Sequence, residues 1–222
     1  MNIGILGGTF SPIHYGHTFI ANYILDFMDF DKILFIPSGK PPHKNNVIKK
    51  EHRLRMVELA IKDNPKFELD DFEIQKNDYS YTYDTLNYLM SKNKNDKFYF
   101  IIGQEAMLQM KTWYRCEDVL KLTDFIVVTR GTQIKDMLLS MYDSSKLHFI
   151  NTPIINISST DIRNRVSQNK SIKYYVNGDV EQYIISNKIY KENANDEKVI
   201  LSLPLAVDGF SSRTLYLIAT CE

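Results

Sequence analysis

Short apolar, β-branched or aromatic runs recur along this chain, and each is separated from the next by a segment of helical periodicity. The runs are Asn2 to Leu6, Lys32 to Ile36, Phe98 to Ile102, Phe125 to Thr129 and Leu147 to Ile150. Between and after them, Tyr15 to Met28, Glu51 to Lys62, Tyr83 to Met90, Glu117 to Leu122 and Ile134 to Met141 repeat their apolar residues at helical spacing. A strand followed by a helix and another strand favours parallel pairing, because the crossover helix must bring the chain back to the same end of the sheet. The pattern predicts an α/β fold: a Rossmann-like open parallel sheet with helices on both faces. The 222 residues, 44% of them hydrophobic, suffice for the core such a sheet needs.

Charge and cysteine content narrow the function classes. Lys+Arg and Asp+Glu both number 27, so the chain has no overall basic field for a nucleic-acid backbone, and no nucleic-acid partner is expected. Two cysteines, Cys116 and Cys221, make neither a disulfide framework nor a four-cysteine zinc site. No stretch approaches the roughly 18 to 20 apolar residues that span a bilayer, and the first residues lack a basic segment followed by a long apolar run. A cytoplasmic protein without a membrane partner is the expectation. Residues 1–192 read as one domain. Residues 193–222 read as an extension, in which Val199 to Val207 and Thr214 to Ala219 suit a β-hairpin turned at Asp208-Gly209.

Three loops carry residues that simple connectors do not need: Gly7 to His17, Pro37 to Lys50 and Asn151 to Ser159. In an open α/β sheet the loops after strands converge on one crevice, so these residues can meet. In the first, Gly8, Thr9 and Phe10 lead to His14 and His17 at a helix start. Glycine lets the backbone approach an anion, and two histidines three apart on a helix can touch one triphosphate. The same residues could form a tight turn with incidental histidines, or part of a zinc site lacking a third ligand at a recognisable spacing. In the third, Ser158, Thr160 and Arg163 open a helix through Gln168. Serine there can be a simple cap, while Thr160 and Arg163 share a face that can hold a phosphate at the helix N-terminus. Thr82 could likewise cap the helix from Tyr83, and Trp113-Tyr114 could be ordinary packing. Asp70, Asp71, Glu73, Lys49, Lys50 and Glu51 look like solvated charge.

Taken together, Gly8-x-Phe10-x-Pro12-x-His14-x-x-His17 and Ser158-x-Thr160-x-x-Arg163 resemble the nucleotidyltransferase superfamily of adenylyl- and cytidylyltransferases. Over about residues 1 to 191 the chain is similar to its bacterial nicotinate-nucleotide adenylyltransferase branch. Pro41-Pro42-His43-Lys44, Ser80-Tyr81-Thr82-x-x-Thr85, Ile102-Gly103-Gln104 and Thr112-Trp113-Tyr114 support that branch. Three positions depart from the pattern: Ser11 where an acidic residue is common, Glu105 where Asp is usual, and Gly131 where proline often follows the arginine at 130.

The resemblance implies adenylyl transfer from ATP to nicotinic acid mononucleotide, giving deamido-NAD and pyrophosphate in NAD biosynthesis. It implies His14, His17 and Arg163 as catalytic residues. Gly8, Thr9, Phe10, Gly103, Arg130, Ser158 and Thr160 would join them in binding ATP, and Lys44, Thr82, Trp113 and Tyr114 would bind the mononucleotide. Mg²⁺ is expected with ATP and no metal bound directly by protein ligands; the oligomeric state is left open. Nicotinamide mononucleotide or phosphopantetheine as acceptor, and a nucleotide-binding regulator without chemistry, are the alternatives.

Overall fold

The computed structural model describes residues 1–41, 47–129 and 133–191. Arg130 and Lys44, and the expected hairpin beyond residue 192, lie outside the described residues. Strands β1 (Asn2–Gly8), β2 (Lys32–Pro37), β3 (Phe67–Leu69), β4 (Lys97–Gly103), β5 (Asp124–Thr129) and β6 (Leu147–Asn151) form one sheet in the order β3-β2-β1-β4-β5-β6. Every pairing is parallel. Five of these strands coincide with the apolar runs. The sixth, β3, spans three residues and has no fully buried side chain, so it carries no periodicity to read. It forms because Ile33, Leu34 and Phe35 offer it a parallel register on the edge of β2.

The helices are α1 (Tyr15–Phe27), α2 (Lys50–Ile61), α3 (Phe72–Gln75), α4 (Thr82–Lys92), α5 (Gln104–Gln109), α6 (Cys116–Leu122), α7 (Gln133–Met141), α8 (Ser159–Ser167) and α9 (Gly178–Ser186). Alternate strand residues point to opposite faces, and each face has its own core. On one, Leu6, Phe35 and Ile126 pack with Ile24 of α1, Val57 of α2, Ile162 of α8 and Ile184 of α9. On the other, Ile5, Phe100 and Val127 pack with Leu86 of α4, Met107 of α5, Val119 of α6 and Leu138 of α7. The expected helices on both faces are therefore present. Burial on both sides is also why the strands are continuous apolar runs and do not alternate in polarity.

Strand order reverses between the neighbouring strands β1 and β4: the connection after β1 leads to β2 and the connection after β4 leads to β5, away from each other. At such a switch point the two neighbouring loops diverge and leave a crevice beyond the carboxyl ends of the strands. Gly8 closes β1 and Gly103 closes β4 at that crevice.

Candidate functional site

A cavity of about 640 Å³ opens at the switch point, lined by Gly8, Thr9, His17, Gly103, Thr82 and Trp113 among others. Two of the three loops singled out from the sequence reach it directly. The third is fastened to the first from outside the cavity wall. Ser159 donates its hydroxyl to the carbonyl of Pro12 at 2.8 Å, and Arg163 donates to the carbonyl of Ser11 at 2.9 Å and to Thr160 Oγ1 at 3.0 Å. The shared face expected for Thr160 and Arg163 thus exists. Ser158 is the N-cap of α8, its hydroxyl oxygen accepting from the Asp161 N–H at 3.0 Å.

The loop after β1 has a tightly determined shape. Phe10 adopts a left-handed φ of 49°, which costs a non-glycine residue on the order of 1 kcal/mol. Its burial compensates: the ring stands edge-on to His17 with centroids 5.1 Å apart and packs beside Phe35. His14 is the N-cap residue of α1 and His17 lies three positions on, their rings 3.7 Å apart. Gly16 leaves the space this stack needs, because a Cβ there would stand 3.0 Å from two atoms of the His14 ring.

The two histidines are chemically distinct. The backbone N–H of His14 donates to Nδ1 of His17 at 3.2 Å, which makes Nδ1 an acceptor and assigns the proton of the neutral ring to Nε2. His17 therefore lines the cavity with its N–H donor defined. His14 is buried, and its Nδ1 has no hydrogen-bond partner among the described residues. Burial lowers its pKa from 6.5 to about 4, so the ring is neutral near pH 7 and serves as a polar group held out of water.

At the other end, Thr82, Trp113 and Tyr114 line the cavity as a group, with the Tyr81 ring tilted at 38° to that of Tyr114 and centroids 4.6 Å apart. Thr82 is the first residue of α4. The N-cap is Tyr81, which makes no side-chain capping bond, so Thr82 does not cap a helix from Tyr83 as the sequence allowed. A helix start without a side-chain cap attracts anions. Glu105, the longer acid at a position where aspartate is usual, also lines the cavity and accepts from Gln104 Nε2 at 3.1 Å.

Glu73 corrects the sequence reading. It is not solvated charge: it lines the cavity, is buried, and accepts from the Thr85 hydroxyl at 2.6 Å. Burial pushes its carboxyl above the usual carboxylate range, against hydrogen bonds from Thr85 and Ser80 and the charge of Lys76. The four-residue helix α3 that carries it is too short for a periodicity signal. Arg53, 1% exposed, was also missed. Its signal was present, since Arg53, Met56, Val57 and Ile61 lie at helical spacing and share the buried stripe of α2. Ser11, another of the departures, shares a hydrogen bond with the hydroxyl of half-buried Tyr190 at 3.1 Å.

The cytidylyltransferase-like family profile matches residues 5–165. A Caldicellulosiruptor saccharolyticus protein carrying the name "Probable nicotinate-nucleotide adenylyltransferase" is 44% identical over 198 residues, covering 86% of this chain and 100% of the relative. One of the same name from Clostridium novyi is 37% identical over 85% of this chain and 98% of its own. The Plasmodium falciparum nicotinic acid mononucleotide adenylyltransferase complexed with NaAD superposes with a TM-score of 0.74 at 26% identity, covering 85% of this chain and 97% of that one.

The buried neutral His14 has a measurable consequence. The unfolded chain takes up a proton at this residue near pH 6.5, the folded chain only near pH 4. Its contribution to stability is thus complete above pH 6.5 and is lost as pH falls toward 4, by roughly 3 kcal/mol. Urea unfolding between pH 7 and 4 should show that loss in the parent and a shallower acid limb in His14→Asn. Parallel profiles would place the titration elsewhere.

Proposed function

The chain belongs to the nicotinate-nucleotide adenylyltransferases within the cytidylyltransferase-like family, and on that premise we propose that it transfers the adenylyl group of ATP to the 5′-phosphate of nicotinic acid mononucleotide. The products are deamido-NAD and pyrophosphate, a step of NAD biosynthesis. The observation that carries this reading is that one cavity takes both the glycine and histidine loop after β1 and the wall of Thr82, Trp113 and Tyr114. One end suits a polyphosphate and the other an aromatic ring bearing an anion.

In the reaction a phosphate oxygen of the mononucleotide forms a bond to the α-phosphorus of ATP, and the bond from that phosphorus to the bridging oxygen of pyrophosphate breaks. The attacking oxygen is already ionised, so neither a protein nucleophile nor a strong base is needed. What the protein must supply is alignment of two mutually repelling anions and stabilisation of the charge that develops. We assign His17, through Nε2–H, to the α-phosphate. His14 supports it, and its neutral ring would gain a proton more readily beside bound triphosphate.

Arg163, Ser158 and Thr160 are assigned to the β and γ phosphates. The Arg163 guanidinium donates to the carbonyl of Ser11 and to Thr160 Oγ1, and two such bonds leave further N–H groups of its five to donate to phosphate oxygens. Gly8, Thr9, Phe10, Gly103 and Arg130 complete the ATP side of the assignment, and Lys44 the mononucleotide phosphate. The nucleotide would enter as its complex with a divalent cation, Mg²⁺ in our assignment, which would offset part of the triphosphate charge. Among the described residues no three of His, Cys, Asp and Glu gather into a metal cage. Residues 1–192 would form the catalytic domain. A cytoplasmic enzyme fits a chain in which, among the described residues, no helix is long and apolar enough to cross a membrane.

Thr82, the start of α4, Trp113 and Tyr114 are assigned to the nicotinate. A carboxylate only accepts hydrogen bonds, whereas an amide turns an NH₂ toward donors that cannot receive it, at a cost of about 1 to 3 kcal/mol for each group left unpaired. Incubation of ATP with each mononucleotide, with products identified by mass, should give deamido-NAD and a kcat/KM about 5- to 100-fold higher for the acid. Equal values would remove Thr82 and α4 from acceptor recognition, and no dinucleotide from either would overturn the proposal.

His17→Ala should lower kcat by about 10² to 10³, the usual effect of losing a donor to developing charge, with a much smaller change in KM for the mononucleotide. A change confined to KM would make His17 a binding residue only.

A further inference from the structure

Arg53 and Glu73 are buried ionisable groups that the reaction above does not use. Arg53 sends NH1 to the carbonyl of Thr9 at 2.9 Å and NH2 to the carbonyl of Gly39 at 2.7 Å, with Nε 3.4 Å from the carbonyl of Ile48. Among the described residues every hydrogen bond of this guanidinium is thus to a backbone carbonyl, Thr9 and Gly39 lying in loops that follow neighbouring strands. Gly39 is held from its other side as well, its N–H donating to Ser80 Oγ at 3.1 Å. A Cβ on Gly39 would lie 2.0 Å from the carbonyl oxygen of Glu73, so only glycine fits between these two segments. The Glu73 carboxylate then receives the Ser80 and Thr85 hydroxyls, the latter at 2.6 Å.

These contacts form one continuous buried chain: Thr9, Arg53, Gly39, Ser80, Glu73, Thr85. It begins at the loop after β1 and ends one helical turn beyond Thr82, on the same face of α4. Its two ends carry the two walls of the cavity. The Ser38 N–H donating to the carbonyl of Gly8 at 2.9 Å fastens the middle of the chain to β1. A guanidinium held by three carbonyls and a carboxyl held by two hydroxyls, both out of water, make a stiff connection, because a displacement leaves a buried polar group unpaired.

We propose that Arg53 and Glu73 are positioning residues for adenylyl transfer: through this buried chain they set the distance between the loop that takes the triphosphate and the helix start that takes the acceptor. The inference rests on the function proposed above. Neither residue needs to touch a reacting atom. Displacing one anion relative to the other by about 1 Å is enough to slow an aligned displacement by about 10², while each substrate still finds its own half of the cavity.

Steady-state kinetics and melting temperature of the full chain, together with crystal structures, test this with Glu73→Ala, Glu73→Gln, Thr85→Val and Arg53→Lys. Glu73→Ala and Arg53→Lys should lower kcat by about 30- to 100-fold, with KM for each substrate within about 5-fold of the parent. Glu73→Gln, which keeps an acceptor for Thr85, should recover most of that loss, and Thr85→Val, nearly isosteric and the mildest of the four changes, should lose about 10-fold in kcat. Variants that melt earlier but keep kcat within about 2-fold would overturn the proposal and leave the chain a stabilising feature only. A parent that makes no dinucleotide would instead defeat the functional reading. The crystal structures decide the positioning claim in that case: the Thr9 to Thr82 separation should change by about 0.5 Å or more in Glu73→Ala, and an unchanged separation would overturn it.

Discussion

The hydrogen bond from the Arg163 guanidinium to the carbonyl of Ser11 joins residues 152 positions apart in the chain, and the architecture of the site follows from it. It brings the start of α8 against the loop after β1. The carbonyls of Thr9, Ser11 and Pro12 each accept from a different distant side chain: Arg53 of α2, Arg163 of α8 and Ser159 of α8. A loop whose carbonyls are committed to protein donors offers less repulsion to an anion than one whose carbonyls turn to solvent. It is also rigid enough to hold Phe10 in a left-handed conformation and to stack His14 on His17. Tyr190, near the end of the described residues, closes the arrangement through its bond to the Ser11 hydroxyl.

Charge in this site is local, in keeping with a chain whose formal net charge is zero. Arg163 is the permanent cation among the residues assigned to phosphate within the described structure. The histidines act differently from it and from each other. His17 has its donor nitrogen set by the bond it accepts from His14, and His14 is kept neutral near pH 7 by burial. At position 11, where an acidic residue is common, the serine shares a hydrogen bond with the hydroxyl of half-buried Tyr190, so the loop is anchored without a carboxylate.

Much of this was legible in the sequence because strands buried on both faces must be continuous apolar runs, and five of the six strands announced themselves that way. The short β3 and α3 did not, since three and four residues leave no period to detect. The arrival of Gly8 and His17 at the crevice followed from their place in the loop after the first strand, whereas Gly103, Thr82 and Trp113 were expected at the site from the family resemblance, and all five line the cavity. Arg53 stood on the apolar stripe of α2, where a charged residue at a core position is a sign of a buried polar role. Glu73 gave no such sign. Its burial depends on Gly39, Ser80 and Thr85 arriving from elsewhere in the chain, and only the folded structure brings them together. The role of Thr82 as a capping residue was plausible from local sequence and failed because α4 starts one residue earlier, at Thr82 itself.

The central claim is that the protein aligns two anions and supplies no nucleophile of its own. The stereochemical course at the α-phosphorus tests it most directly. With ATP made chiral at that phosphorus by sulfur substitution, a single in-line displacement by the mononucleotide phosphate predicts deamido-NAD of inverted configuration. Retention would require two displacements and therefore an adenylylated protein intermediate, which would contradict the account.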